Sequence, residues 1–201
     1  MSIVSYNNRS LQSVTDVAGV TKTMVLLSTQ TASSSATISF TSDIDATHPA
    51  YMFKFIDIHP ATDNANFGFQ VDTGTNTNFN QTITSSYFAA YQTENGATSA
   101  LQYVTAQDQH QGTAFQTLVD SVGNGDDESC SGTLHIFQPS SGTFVKHFIA
   151  RSHGYNGSDY STDLFCAGYI NTATAITRVQ FKFSSGNMDS GVIKLYGIKD
   201  S

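Results

Sequence analysis

The chain has 201 residues, 39% of them hydrophobic and only 12% charged, with a formal net charge of −7. A single domain of this length buries roughly 70% of the surface its unfolded chain exposes, so it needs no disulfide or metal staple. The acidic balance argues against nucleic acid, which selects for clustered Lys and Arg. It argues equally against anionic membrane surfaces.

With charge at about half the usual ~25%, the polar coat must come from Ser, Thr, Asn, Gln and Gly. Thr suits strands, and Ser, Asn and Gly suit turns. This is the composition of an all-β domain with many loops. Residues 1–22 are read as an N-terminal arm and residues 23–201 as a β-sandwich. The arm has no clean strand or helix period, yet Ile3, Val4, Tyr6, Leu11, Val14 and Val17 are too apolar for a solvated tail. They are the candidate anchor onto a partner. The first twenty residues contain no apolar core of a signal peptide, so a cytoplasmic site of synthesis is expected. No stretch approaches the ~20 apolar residues of a membrane-spanning helix, and no membrane insertion is expected.

Strand after strand follows. Residues 24–30 form the first, and Thr37-Ile38-Ser39-Phe40-Thr41 alternates polar with apolar, as a half-buried strand does. Tyr51-Met52-Phe53-Lys54-Phe55-Ile56-Asp57-Ile58 is mostly apolar and reads as a central strand covered on both faces, ended by His59-Pro60. Phe67, Phe69 and Val71 alternate with Asn66, Gly68 and Gln70, and residues 82–91 form another strand. The middle is less regular. Phe115, Leu118 and Val119 fall on one face of a short helix over residues 113–119. Leu134-His135-Ile136-Phe137 and residues 143–151 read as a hairpin closed by Pro139-Ser140-Ser141-Gly142. Residues 154–161 read as an exposed loop. Residues 164–170 form a strand in which Ala167 and Gly168 permit close packing, Val179, Phe181 and Phe183 face one core, and residues 192–198 close the domain. About ten strands with long loops predict a jelly-roll-like antiparallel β-sandwich.

Chemistry is scarce. Asp126-Asp127-Glu128 offers consecutive carboxylates, which cannot project alternate ligands into one calcium cage, and reads as a solvated loop. The six histidines form no H-x-H or H-x-x-x-H pair. His135 and His147 are expected to face each other across the hairpin as a polar pair. Glu94 and Glu128 are the only glutamates, and no spacing singles out a carboxylate pair for glycoside hydrolysis. No nucleophile elbow or phosphate loop is present. No enzymatic activity, cofactor or metal is expected. Cys130 and Cys166 read as two packed free thiols. One loop carries candidate binding chemistry: Tyr155, Asn156, Asp159 and Tyr160 combine aromatic rings with amide and carboxylate groups, as a glycan site does, although without a Trp the tyrosines read first as cover for the sandwich edge or an oligomer contact.

Four segments look familiar together. They are Met24-Val25-Leu26-Leu27-Ser28-Thr29-Gln30-Thr31-Ala32-Ser33-Ser34-Ser35, Phe55-Ile56-Asp57-Ile58-His59-Pro60-Ala61-Thr62, Phe144-Val145-Lys146-His147-Phe148-Ile149-Ala150-Arg151, and the run from Ser184-Ser185-Gly186-Asn187-Met188 through Asp189-Ser190-Gly191-Val192-Ile193-Lys194-Leu195-Tyr196-Gly197. Together they resemble small virion structural proteins of aquatic tailed phages, including cyanophages. The resemblance implies a virion component and supplies no catalytic or ligand residues. Within it, the expected role is a capsid decoration or head-fibre protein bound to the major capsid protein as a homotrimer. The alternative is a tail fibre or receptor-binding module that recognises a host-surface glycan.

Overall fold

Alternation of apolar and polar residues dictates strands along nearly the whole chain, and the computed structural model, which describes residues 23–199, contains thirteen. They are β1 (Met24–Thr31), β2 (Ile38–Phe40), β3 (Ala50–Pro60), β4 (Ala65–Thr73), β5 (Ile83–Thr93), β6 (Ser99–Tyr103), β7 (His110–Gly112), β8 (Gln116–Val122), β9 (Cys130–Phe137), β10 (Lys146–Asn156), β11 (Tyr160–Ile170), β12 (Ile176–Phe183) and β13 (Met188–Ile198). A single 3-10 turn, Thr105–Gln107, is the only helical element among the described residues. The candidate anchor residues Ile3, Val4, Tyr6, Leu11, Val14 and Val17 lie outside the described residues.

Every strand pairing is antiparallel. One layer runs β1-β13-β3-β9-β10-β11-β5, with β6 and β7 both pairing β5. The other runs β8-β4-β12-β2 and joins the first where Asn156 of β10 meets Val122 of β8. Hairpins account for β10/β11 and β5/β6, whereas β3 beside β13 and β4 beside β12 require the long crossovers of a jelly-roll-like sandwich.

The core between the layers is aromatic. Phe53 of β3 meets Phe40 of β2 edge-on at 5.2 Å and Phe181 of β12 at 5.3 Å. Phe55 meets Phe67 at 5.2 Å, and Phe69 meets Phe148 at 5.1 Å. All of these rings are buried. Close approach is also enforced by Gly168, where a Cβ would lie 2.2 Å from the Thr84 carbonyl oxygen and 3.0 Å from the Phe148 ring. This is the tight packing expected of that strand.

Several expectations need correction. The strand covered on both faces is β4, not β3: Gly68, Gln70 and Asp72 are buried as fully as Phe67, Phe69 and Val71. The covering loops are held by these polar side chains. The Gln70 amide nitrogen lies within hydrogen-bond distance of the Gln81, Thr113 and Ala114 carbonyls, and Asp72 accepts from the Phe79 backbone N–H at 2.9 Å. β3 instead alternates, with Met52 half-buried and Lys54 exposed on its outer side. No helix forms over 113–119; residues 116–119 belong to strand β8. Its pairing with β4 shifts register between Phe67 and Gly68, so the adjacent Leu118 and Val119 both turn inward and mimic a helical face. The 154–161 segment is strand at both ends, with only residues 157–159 between β10 and β11. The β9/β10 hairpin exists, but residues 138–145 close it, a longer loop than the Pro139 to Gly142 turn.

Lys146 explains that longer loop. Its side chain is fully buried, and its ammonium donates to the Ser141 and Thr172 carbonyls at 2.6 and 2.9 Å. It ties the loop to the one that follows β11. His135 does not face His147. It stands opposite Ile149 and stacks on Phe137, while His147 stands opposite Tyr169. Cys130 and Cys166 are both buried and unpaired, as expected.

Candidate functional site

Two features stand out above a plain sandwich, and both lie on the layer built around β10, β11 and β5. The first is a cleft of about 190 Å³ lined by Ala89, Tyr91, Gln102, Val104, Asp120, Asn156, Tyr160 and Thr162. Strand alternation builds it. Thr162 is buried and Tyr160 half-buried on the inward side of β11, and Ala89 and Tyr91 are likewise placed on β5. Tyr91 and Tyr160 are cross-strand neighbours on that side, their rings 5.5 Å apart at 74°, which makes an aromatic corner. Gln102 of β6 is exposed at the rim, and Asp120 enters from β8 in the opposite layer.

Asp120 is the chemically distinctive group. Its Oδ1 accepts from the Tyr87 hydroxyl at 3.2 Å. Among the described residues Oδ2 makes no hydrogen bond, and no cationic side chain lines the cleft. Burial pushes the carboxyl above its ordinary value of 3.8, outweighing the lowering by the Tyr87 bond. Burial acts in the same direction on the Tyr87 hydroxyl.

The residues of the expected glycan loop divide. Asn156 and Tyr160 line the cleft; Tyr155 and Asp159 do not. The Tyr155 hydroxyl donates to Asp159 at 3.3 Å, and the Asp159 carbonyl accepts from the Glu94 N–H. Asn156 is partly committed to the turn, since its Oδ1 accepts from the N–H groups of Ser158 and Tyr160 at 3.0 and 3.1 Å. Only its Nδ2 remains for a ligand. Sequence reasoning missed Tyr91, Gln102 and Asp120. Tyr91 lay within an expected strand, but nothing in the sequence indicated that β5 and β11 pair in the register that brings it to Tyr160.

The second feature is the outer face of the same layer. β10 alternates strictly, with Lys146, Phe148, Ala150 and Ser152 buried and His147, Ile149, Arg151 and His153 exposed. Pairing extends the exposed side across the sheet. Ile149 is flanked by His135 and Ala167, and Arg151 by Thr133 and Phe165. Phe165 continues to Phe88 and Tyr103. At the other end, Met52 continues to Tyr196 and Leu26. Met24, Leu26, Phe88, Leu101, Tyr103, Phe137 and Ile149 are each between 38% and 73% exposed on this layer. Phe144, also 73% exposed, sits on the loop at its end.

The charged groups on this face include Lys54, Lys194, Arg151, Asp163 and Asp57, the last accepting from the Ser131 hydroxyl. Lys54 and Lys194 stand directly opposite each other on β3 and β13, and neither has a carboxylate within salt-bridge distance among the described residues. Arg151 is paired with Asp163 at 2.8 Å and lies over the Phe165 ring at 4.9 Å.

Glu128 of the acidic run folds back to accept from the Gly125 N–H, while Asp126 and Asp127 are exposed. No group of three or more His, Cys, Asp or Glu side chains among the described residues is placed to hold a metal ion. No protein-family model matches the chain, and no curated protein matches it by sequence.

Proposed function

We propose that this chain is a non-enzymatic virion structural protein, a capsid decoration or head-fibre component that seats the outer face of its larger layer against the shell. The observation that carries this reading is the gathering of the large exposed apolar side chains onto that one layer and the loop at its end. Scattered exposed apolar residues are ordinary, whereas a contiguous patch rimmed by polar groups marks an interaction surface. Lys54 and Lys194, without a carboxylate partner among the described residues, add basic charge to this patch in a chain of net charge −7. The partner surface is therefore apolar with carboxylates at its border, and it belongs to the major capsid protein. Trimeric display, with the apolar arm of residues 1–22 as a second anchor, completes the proposal.

The test is occupancy on purified particles of the virus that encodes the chain, counted by quantitative mass spectrometry and cryo-electron microscopy. The protein is expected in a fixed stoichiometric ratio to the shell protein. Ile149→Glu, which charges the centre of the face without touching the core, is expected to remove it from particles. Only a few copies per particle, located at the tail, would overturn the reading in favour of a receptor-binding module. Unchanged loading of the Ile149→Glu variant would overturn the proposed face.

A further inference from the structure

We infer that the cleft between β5, β6, β8 and β11 binds one neutral sugar ring, held against the Tyr91/Tyr160 corner with its hydroxyls donating to Asp120. The inference stands on the cleft alone and is independent of where on a particle the protein sits.

Size comes first. The volume of about 190 Å³ is below the roughly 300–1,000 Å³ of ordinary small-molecule pockets. One six-membered ring fits; a flat cofactor or an oligosaccharide does not. The exposed Gln102 forms part of the rim past which a longer glycan could extend.

The chemistry of the walls comes next. Ala89, Val104 and the two tyrosine rings give an apolar floor and corner. A sugar ring presents a C–H face that packs on such a surface. The polar groups of the lining are an acceptor, Asp120, and two side-chain amides, those of Gln102 and of Asn156 beside Tyr160. A carboxylate drawn partly out of water is costly unless it is hydrogen-bonded, and the half-buried Asp120 has one side-chain hydrogen bond, from the Tyr87 hydroxyl at 3.2 Å, among the described residues. A ligand rich in hydroxyl donors completes this acceptor. An anionic ligand is disfavoured by the same carboxylate and finds no cation among the lining residues. Water alone would satisfy Asp120, but it would leave the aromatic corner uncovered.

Asp120 has capacity beyond its structural bond to Tyr87. It takes no part in an ion pair among the described residues, and its one side-chain partner comes from the layer across the cleft. A carboxylate kept partly buried without a cation, inside a concave site with converging polar groups, is the physical mark of a binding site.

The experiment is a titration of the full ¹⁵N-labelled chain with methyl α-mannopyranoside, methyl β-galactopyranoside and methyl β-glucopyranoside, followed by amide chemical shifts. N-acetylneuraminic acid serves as the anionic control. At least one neutral glycoside is expected to bind with a dissociation constant of about 1 mM, the range for a single weakly held ring. The shifted amides are expected at Tyr91, Gln102, Asp120, Tyr160 and Thr162, with none from the anionic control. Asp120→Asn keeps an acceptor for Tyr87 and is expected to weaken binding about tenfold or more, because a charged acceptor is lost. Gln102→Ala, at an exposed position that does not affect folding, is expected to weaken it as well. The inference is overturned by silence from all three glycosides at roughly 100 mM, far above the millimolar scale. Shifts centred elsewhere, or Asp120→Asn and Gln102→Ala variants that bind like the wild type, overturn it equally.

Discussion

Phe181→Ala is the sharpest probe of the core. Phe181 is fully buried at the centre of β12. Its ring lies 5.3 Å from Phe53, 5.8 Å from Phe67 in a stacked arrangement, and 6.2 Å from Phe40 edge-on. Truncation removes a ring that joins both layers and leaves a cavity walled by three other rings, which cannot collapse without leaving their own partners. Phe→Ala in such sites costs about 3–5 kcal/mol, and the lost aromatic pairs put this case at the upper end. In a domain of this size each kcal/mol lowers Tm by roughly 2–4 °C, so the expected fall is about 10–20 °C. Urea unfolding monitored by tyrosine fluorescence and circular dichroism measures it, with an unchanged m-value as the control for a two-state comparison. The neighbouring Lys182 points the other way and lies over the Phe115 ring at 4.3 Å. Lys182→Ala is expected to cost only about 0.5–1 kcal/mol, the loss of one half-buried cation–π contact. A Phe181→Ala cost below about 1 kcal/mol, or one equal to that of Lys182→Ala, would refute the register of β12 and the aromatic core built on it.

Asp120→Asn tests the cleft through stability. Burial raises the Asp120 pKa above 3.8 in the fold, so the folded state binds the extra proton, and stability is fully present below the unfolded value and falls as pH rises through the folded one. The variant is therefore expected to be more stable than the wild type at pH 7 and equal to it near pH 3; a difference that persists or grows toward acid in thermal melts would contradict this. Lys146→Met keeps the apolar stem but strips the donor from the Ser141 and Thr172 carbonyls, and is expected to cost roughly 1–3 kcal/mol in urea unfolding. Burial pushes the Cys166 thiol up to about 12 and raises that of Cys130 too, so neither is expected to react with Ellman's reagent in the native protein, and both should react at once in denaturant.

Much of the sandwich was legible because period-2 alternation survives wherever one strand face meets the core. Val179, Phe181 and Phe183 on β12 and Ile38 and Phe40 on β2 are buried as that pattern predicts. Ten of the thirteen strands were visible in this way. The other three failed for separate reasons. β8 turns Leu118 and Val119 inward together through its register shift, and two adjacent apolar residues read as a helix face. β6 is exposed or half-buried throughout, and β7 is three residues long, so neither carries a buried stripe. β4 hid its second buried face because Gln70 and Asp72 are polar, and their loop partners are not predictable from spacing. The cleft was half legible. Tyr160 and Asn156 were visible as ligand chemistry near a turn, but Tyr91 and Asp120 reach the site only through the pairing of β5 with β11 and the packing of β8 across it.

The charge pattern of the outer face bears on what can cover it. A sheet with this much exposed apolar surface is prone to self-association unless charge opposes it. Lys54 and Lys194 stand directly opposite each other, an arrangement that costs stability in the isolated chain. Two copies meeting face to face about a twofold axis would bring the same patch against itself, with four ammonium groups and four lysine stems in one apolar contact. Of the carboxylates on this face, Asp163 is already held by Arg151 and Asp57 accepts from the Ser131 hydroxyl. Self-pairing that stacks these lysines is therefore opposed, while an unlike surface that brings carboxylates to Lys54 and Lys194 relieves their repulsion and buries the neighbouring Met52 and Tyr196. The same two side chains thus oppose self-association and favour a heterologous, acidic partner. In the proposed decoration role, a trimer of this chain would use other surfaces and leave this face for the shell.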